Sequence, residues 1–91
     1  MSTSKEIAAR YATLDLLSRR RPSATVCPSE VARAVARSRS GRDAEWRAEM
    51  TNVHAAIDQM VQEGLVALSW KGADMPLRSG PYRISRRTRR S

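Results

Sequence analysis

The chain has 91 residues and a formal net charge of +8, because 17 lysines and arginines oppose 9 acidic residues. This length predicts one domain with one small core. A hydrophobic content of 41% excludes a purely disordered chain. The large cationic surplus favours a polyanionic partner, with nucleic acid as the first candidate.

Several classes of protein are disfavoured by the same composition. No apolar run approaches the roughly 18 residues of a membrane span, so we expect no membrane partner. The first residues lack the pattern of a secretory signal, which predicts a cytoplasmic location. A single cysteine, Cys27, excludes an internal disulfide and offers no set of metal ligands.

The first predicted helix runs from about Ser4 to Arg20 and ends before Pro22, which cannot continue it. Its spacing predicts a buried face formed by Ile7, Tyr11, Leu14 and Ser18, with Leu17 beside them. On that assignment Leu16 points away from the core, beside Ala9 and Ala12. This second face would be a candidate surface for a dimer or a partner.

Two further helices are predicted in the middle of the chain. One begins at Pro28, with Cys27 at the cap position and Glu30 three residues later, where it can reach back to the cap N–H. The other covers about residues 43–63 and ends at Gly64. Its apolar stripe alternates four and three residues apart and consists of Trp46, Met50, Val53, Ile57 and Met60.

After Gly64 the apolar period changes to two, which indicates strands. Val66, Leu68 and Trp70 share one face, residues 71–81 form a long connection, and Tyr82 and Ile84 mark a returning strand. A short extended piece, residues 24–26, precedes the second helix. We expect residues 1–85 to form the domain and residues 86–91 a basic disordered tail.

This order of elements is typical of a winged helix-turn-helix, a mainly α fold with a three-helix core and a small β-hairpin as the wing. Such a fold commonly presents its third helix to the major groove of DNA. The fold alone does not fix the function.

Four segments also resemble a family of small uncharacterised bacterial winged-helix proteins, which is catalogued as a domain of unknown function. They are residues 25–33 (TVCPSEVAR), the WRAEM segment that begins at Trp46, and the Lys71-Gly72 and Gly80-Pro81-Tyr82-Arg83 segments. The resemblance covers about residues 7–84. It implies a fold and no established activity. Family members often carry proline and arginine where this chain has Asn52 and His54.

We therefore expect a DNA-binding winged-helix protein with the third helix in the groove. Transcriptional regulation is its candidate role. The residues expected to contact bases are Arg47, Thr51, Asn52 and His54. Those expected to contact phosphates are Arg37, Arg39, Arg42, Arg78 and Arg83 from the fold, and Arg86, Arg87, Arg89 and Arg90 from the tail. An alanine-rich solvated helix would give the same outer face without any groove contact.

Alternative functions remain open at this point. A protein-interaction module could use the same helical surface, and the arginine-rich tail could bind RNA. Trp46 and Trp70 are candidate platforms for bases, although packing explains Trp46 better. No convergent set of polar residues suggests catalysis, so we expect no enzyme, no cofactor and no metal site.

Overall fold

The computed structural model describes residues 4–40 and 46–87, so the predicted contacts of Arg42, Arg89 and Arg90 lie outside the described residues. Within these ranges the fold is mixed α/β. The helices are α1 (Ser4–Ser18), α2 (Pro28–Ser40), a 3₁₀ helix (Trp46–Glu49) and α3 (Met50–Gln62). The strands are β1 (Thr25–Val26), β2 (Val66–Trp70), β3 (Ala73–Met75) and β4 (Arg83–Arg86).

Helix α2 begins as its sequence predicts. Pro28 is its first residue, and the Cys27 carbonyl accepts the Glu30 N–H at 2.9 Å. The Glu30 carboxylate returns the interaction, since its Oε1 lies 3.5 Å from the Cys27 nitrogen. The contact from Glu30 to the cap N–H is one half of a capping box. The Cys27 thiol itself lies 3.1 Å from the Ser29 hydroxyl.

Helix α3 supplies the centre of the core. Val53, Ile57 and Met60 have no exposed surface, which confirms the predicted stripe. The predicted single helix from residue 43 is wrong over Trp46–Glu49, which forms a 3₁₀ helix instead. Glu49 keeps helical backbone angles, with φ −87° and ψ −10°, so this tighter turn runs directly into α3. The helix then stays regular through Asn52 and His54.

The buried face of α1 differs from the prediction. Ile7 and Tyr11 are 41% and 67% exposed, whereas Ala9 and Thr13 are fully buried. Leu17 is buried as expected. Ala12 and Leu16, which were predicted to point away from the core, pack against it, and so does Ala8. Small side chains let α1 approach α2 and α3 closely, and the Thr13 hydroxyl is satisfied by donating to the Ala9 carbonyl at 2.8 Å.

The sheet is antiparallel with the order β1-β4-β2-β3. Strand β4 lies between β1 and β2, so Ile84 is paired with Val26 on one side and Leu68 on the other. All three side chains are buried. The predicted pairing of the Val66 and Tyr82 segments is thus correct, and the short piece before α2 becomes a third partner.

Strand β3 was not predicted, because it lies inside the expected long connection. Lys71 and Gly72 both have positive φ, 53° and 82°, and Trp70 pairs directly with Ala73. A two-residue loop with this geometry is a type I′ turn. The turn folds the chain back into an exposed edge strand before residues 76–82 lead to β4.

Arg86 connects the end of the sheet to the C-terminal end of α1. This residue was predicted to belong to a tail, but it is the final residue of β4. Its guanidinium donates to the carbonyls of Leu17, in the last turn of α1, and of Arg20, just after the helix. Carbonyls at a helix C-terminus have no partner within the helix, so Arg86 satisfies them. Among the described helices, none has both the length and the apolar character that crossing a membrane requires.

Candidate functional site

The outer face of α3 lies opposite its buried stripe and carries small or uncharged side chains. Thr51 is exposed, and Ala55 and Gln59 are half-buried. Ala48 continues the same surface onto the 3₁₀ helix and is exposed. Asn52 lies at the edge of this face, where its amide nitrogen is 3.4 Å from Glu49 Oε1.

Two of the four predicted base contacts, Arg47 and Thr51, are exposed. His54 is placed differently, because it points toward the strands. Its Nδ1 lies 2.7 Å from the hydroxyl of Tyr82, which is only 3% exposed. We therefore remove His54 from the outward face and assign it to the surface between α3 and the sheet.

Burial keeps the His54–Tyr82 pair neutral. Desolvation lowers the pKa of His54, nearby Arg78 lowers it further, and the attraction of Asp58 does not compensate. Desolvation also raises the pKa of Tyr82 far above its ordinary value. Both groups are uncharged at neutral pH, so the pair is a neutral hydrogen bond between the helix and the approach to β4.

Two arginines predicted to contact phosphate, Arg39 and Arg78, are paired with carboxylates. Arg39 Nη1 lies 3.1 Å from Glu49 Oε2. Arg78 forms a two-pronged pair with Asp58, with distances of 3.0 and 3.1 Å. Each pair reduces the positive field beside α3, since its two charges largely cancel at a distance.

Arg83 is also committed inside the fold. Its Nε donates to the Thr25 hydroxyl at 2.7 Å, and its Nη2 donates to the Thr25 carbonyl at 3.4 Å. The same carbonyl accepts Arg20, whose other nitrogen lies 2.6 Å from Glu30. Burial would raise the pKa of Glu30, but hydrogen bonds from Arg20 and Cys27 and the charges of Arg20 and Arg83 lower it.

The remaining predicted cations in the described ranges are Arg37, Arg86 and Arg87. Arg37 is exposed on α2, and Arg86 holds the end of α1. Arg87 is exposed and its backbone N–H donates to Leu65 at 3.2 Å. Among the described candidates, Arg39 and Arg78 are therefore paired with acids, and Arg83 and Arg86 bond groups within the fold.

A cleft of about 370 Å³ lies beside the start of α3, where the first turn of α2 meets the sheet. Its walls combine aromatic, sulfur-containing and small side chains. They are Cys27, Pro28, Ser29, Trp46, Met50, His54, Trp70, Gly80, Pro81 and Tyr82. Trp70 is 40% exposed, so one aromatic ring stays accessible at the end of β2.

Two guanidinium groups lie against Trp46 at the border of this cleft, although neither residue lines it. Arg33 and Arg47 lie 5.0 and 4.7 Å from the ring centroid of Trp46. These are cation–π distances. Neither arginine forms an ion pair with another residue of the ranges 4–40 and 46–87. Arg33 was not predicted as a site residue, although it lies on the exposed face of α2.

The segments that suggested a family resemblance meet at this cleft. Cys27-Pro28-Ser29, Trp46 and Gly80-Pro81-Tyr82 all line it, although they come from distant parts of the chain. A family model described as a protein of unknown function (DUF3253) matches residues 6–87. The chain belongs to this family. DUF3253 membership confirms that the domain belongs to an uncharacterised family and assigns no activity.

No match was found among curated proteins. Within the described part of this DUF3253 chain, no group of three or more histidine, cysteine, aspartate or glutamate side chains could hold a metal ion. The candidate site therefore consists of two adjoining surfaces: the outer face of α3 and the aromatic cleft with its two arginines.

Proposed function

We propose that this protein is a winged helix-turn-helix module that binds duplex DNA, with α3 as the reading helix. Helices α1 and α3 contact strands β1 and β2, and buried residues of all three helices share one core with β1, β2 and β4. Strand β4 pairs antiparallel with both β1 and β2. Strand β3 and residues 76–82 would then be the wing. This order and pairing support the proposed fold.

The observation that carries the proposal is the chemistry of the outer face of α3. Ala48, Thr51 and Ala55 are small, so a DNA groove can approach the helix closely. Threonine and alanine methyl groups contact thymine, and Gln59 can bond base edges. Arg33 and Arg47 add positive charge beside the start of this face.

The proposed phosphate contacts are fewer than the composition predicts. Arg39 and Arg78 are paired with acids, and Arg83 and Arg86 stabilise the fold. The proposal therefore gives the main phosphate role to Arg33 and Arg47. Their substitution by glutamine would each reduce the slope of log affinity against log salt by about 1 if each contacts one phosphate.

A negative charge introduced on the outer face of α3 tests the reading surface. Thr51→Glu places a carboxylate where a groove would approach, so we expect it to abolish duplex binding in fluorescence anisotropy at low salt. Ser23→Glu introduces the same charge in an exposed turn before β1 and is the matched control. Equal affinities for the two variants would contradict the proposal.

Base reading by Arg47 is tested with a panel of duplexes. Arg47→Ala should reduce the preference among sequences, at a cost of roughly 1–3 kcal/mol for the preferred site if the side chain contacts a base. An equal loss for every duplex would assign Arg47 to phosphate contact alone. Competition with RNA hairpins in the same assay separates DNA from RNA as the preferred partner.

A second function is favoured by the exposed face of α1. Ile7, Tyr11 and Leu14 lie on one side of this helix and are 41%, 67% and 37% exposed. Such a row supports a protein-interaction module, with a second copy of the chain as the simplest partner. Light scattering tests this candidate, because a dimer that persists at high salt and dissociates in Tyr11→Glu would support it.

A further inference from the structure

The aromatic cleft beside α3 has a composition that the binding of duplex DNA does not require. We propose that it binds one unpaired nucleotide, either free or at the end of a nucleic-acid strand. The strand-end form rests on the proposed DNA binding, whereas binding of a free nucleotide does not. The base would lie against the aromatic walls, and the phosphate would face Arg33 and Arg47.

The walls suit a flat ring. The cleft volume, about 370 Å³, falls in the range of roughly 300–1,000 Å³ that small-molecule sites occupy. Trp46 and Trp70 approach it from the 3₁₀ helix and the end of β2, and Met50 and Pro81 complete an apolar surround. A base of any kind can stack on the ring of Trp70, which is 40% exposed, because every base has a π-face.

Polar groups in the cleft are few and are already oriented. His54 Nδ1 is held by the Tyr82 hydroxyl at 2.7 Å, which fixes the imidazole ring. The other ring nitrogen keeps its hydrogen-bonding capacity. A neutral imidazole that lines the cleft can therefore bond the polar edge of a base without adding charge.

The arginines at the border select an anion. Arg33 and Arg47 each lie within 5.0 Å of the centroid of the Trp46 ring, so two positive charges lie beside one wall of the cleft. The acids Glu49 and Asp58 are held by Arg39 and Arg78. A phosphate can accept hydrogen bonds from a planar guanidinium group. A neutral aromatic compound or an apolar peptide would leave these charges unpaired.

The chain carries its own reporters for this site. Its two tryptophans and its one cysteine all line the cleft. Adenosine monophosphate should therefore quench the tryptophan fluorescence to saturation and slow alkylation of Cys27. Adenosine, which lacks the phosphate, should bind at least about tenfold more weakly, and Arg47→Gln should reduce this difference.

Trp70→Leu tests the stacking wall. Because Trp70 is 40% exposed, its replacement leaves the core intact, which circular dichroism can check. We expect the affinity for adenosine monophosphate, read from Cys27 protection, to fall roughly ten- to a hundred-fold. Leu77→Ala is the control, since Leu77 is 79% exposed outside the cleft and should leave the affinity unchanged.

Duplexes with and without one unpaired 3′ nucleotide test the strand-end form. The wild-type protein should prefer the overhang, and Trp70→Leu should lose this preference while it retains binding to blunt duplex. Thr51→Glu should lose duplex binding and keep the response to adenosine monophosphate. If the wild-type protein responds to adenosine monophosphate but binds no duplex, the proposed function is overturned and the cleft inference stands. Blunt-duplex binding with no saturable nucleotide response and no overhang preference would overturn the cleft inference alone.

Discussion

At the scale of single residues, the arginines have at least three distinct roles. Some form ion pairs, such as Arg78 with Asp58, and others bond backbone carbonyls, such as Arg86 at the end of α1. Arg33 and Arg47 stack on Trp46. The sequence predicts the surplus of charge but not these partners, because the bonded groups lie up to 69 positions apart along the chain.

Protonation of His54 should destabilise the fold. Its pKa is lowered in the folded state, so the unfolded chain binds the proton more readily. Stability is then complete above the unfolded value of about 6.5 and falls as the pH drops below it. Urea unfolding between about pH 5.5 and 8 measures this slope. His54→Gln should flatten it, because the chain has one histidine.

Persistence of the full slope in His54→Gln would contradict this assignment. The measurements stop at about pH 5.5 so that the loss of stability on protonation of His54 is separated from that on protonation of Glu30. The pKa of that carboxyl is lowered, so its contribution to stability is lost only as the pH falls below its ordinary value of 4.5.

At the scale of elements, the sequence predicts those whose pattern is local and simple. The α3 stripe is confirmed, and so is the start of α2 at Pro28 with the Glu30 carboxylate at the Cys27 N–H, since helical period and capping chemistry define them. The predicted buried face of α1 was wrong, because both sides of that helix carry apolar residues. The large Ile7 and Tyr11 suggested one face, whereas close packing favoured the small Ala9 and its neighbours.

The candidate site follows the same division. Thr51 on the outer face of α3 could be placed from helical periodicity alone. The cleft could not, because Cys27, Trp46 and Pro81 meet there only after the sheet forms. Strand β3 was missed since Ala73-Asp74-Met75 has little strand character, and the Lys71-Gly72 turn supplies the geometry instead.

Two matched substitutions in α1 test its orientation. Leu17 is 3% exposed and Leu14 is 37% exposed on the same helix. Leu17→Ala should lower the free energy of unfolding by about 2–5 kcal/mol, because it leaves a cavity in the core. Leu14→Ala should cost less than about 1 kcal/mol, since solvent fills the space. Equal costs in chemical denaturation would contradict the observed face.

At the scale of the whole molecule, the net charge of +8 conceals an uneven distribution of available cations. The ion pairs of Arg10, Arg19, Arg20, Arg39 and Arg78 neutralise charge around the fold. The border of the cleft keeps two stacked guanidinium groups. A polyanion would therefore be attracted from afar by the total charge and positioned by a few side chains.

Two truncations separate charge from folding. Removal of residues 88–91 deletes Arg89 and Arg90, so we expect weaker binding to all duplexes and a shallower salt dependence. Removal of residues 86–91 also deletes the bonds from Arg86 to Leu17 and Arg20. The shorter chain should be less stable than the longer one by about 1–3 kcal/mol in urea.

Equal stability of the two truncated chains would show that Arg86 is not needed to hold the end of α1. Equal duplex affinities of the full chain and the chain that ends at Arg87 would remove Arg89 and Arg90 from the proposed binding surface.

The central place of β4 determines when this molecule can fold during synthesis. This strand joins β1 to β2, and its Arg83 reaches Thr25 across 58 positions of sequence. A nascent chain on the ribosome therefore exposes the partners of β4 until residues 83–86 have emerged. Helices α1 to α3 can form early from local contacts, whereas the sheet closes in a late, high-contact-order step.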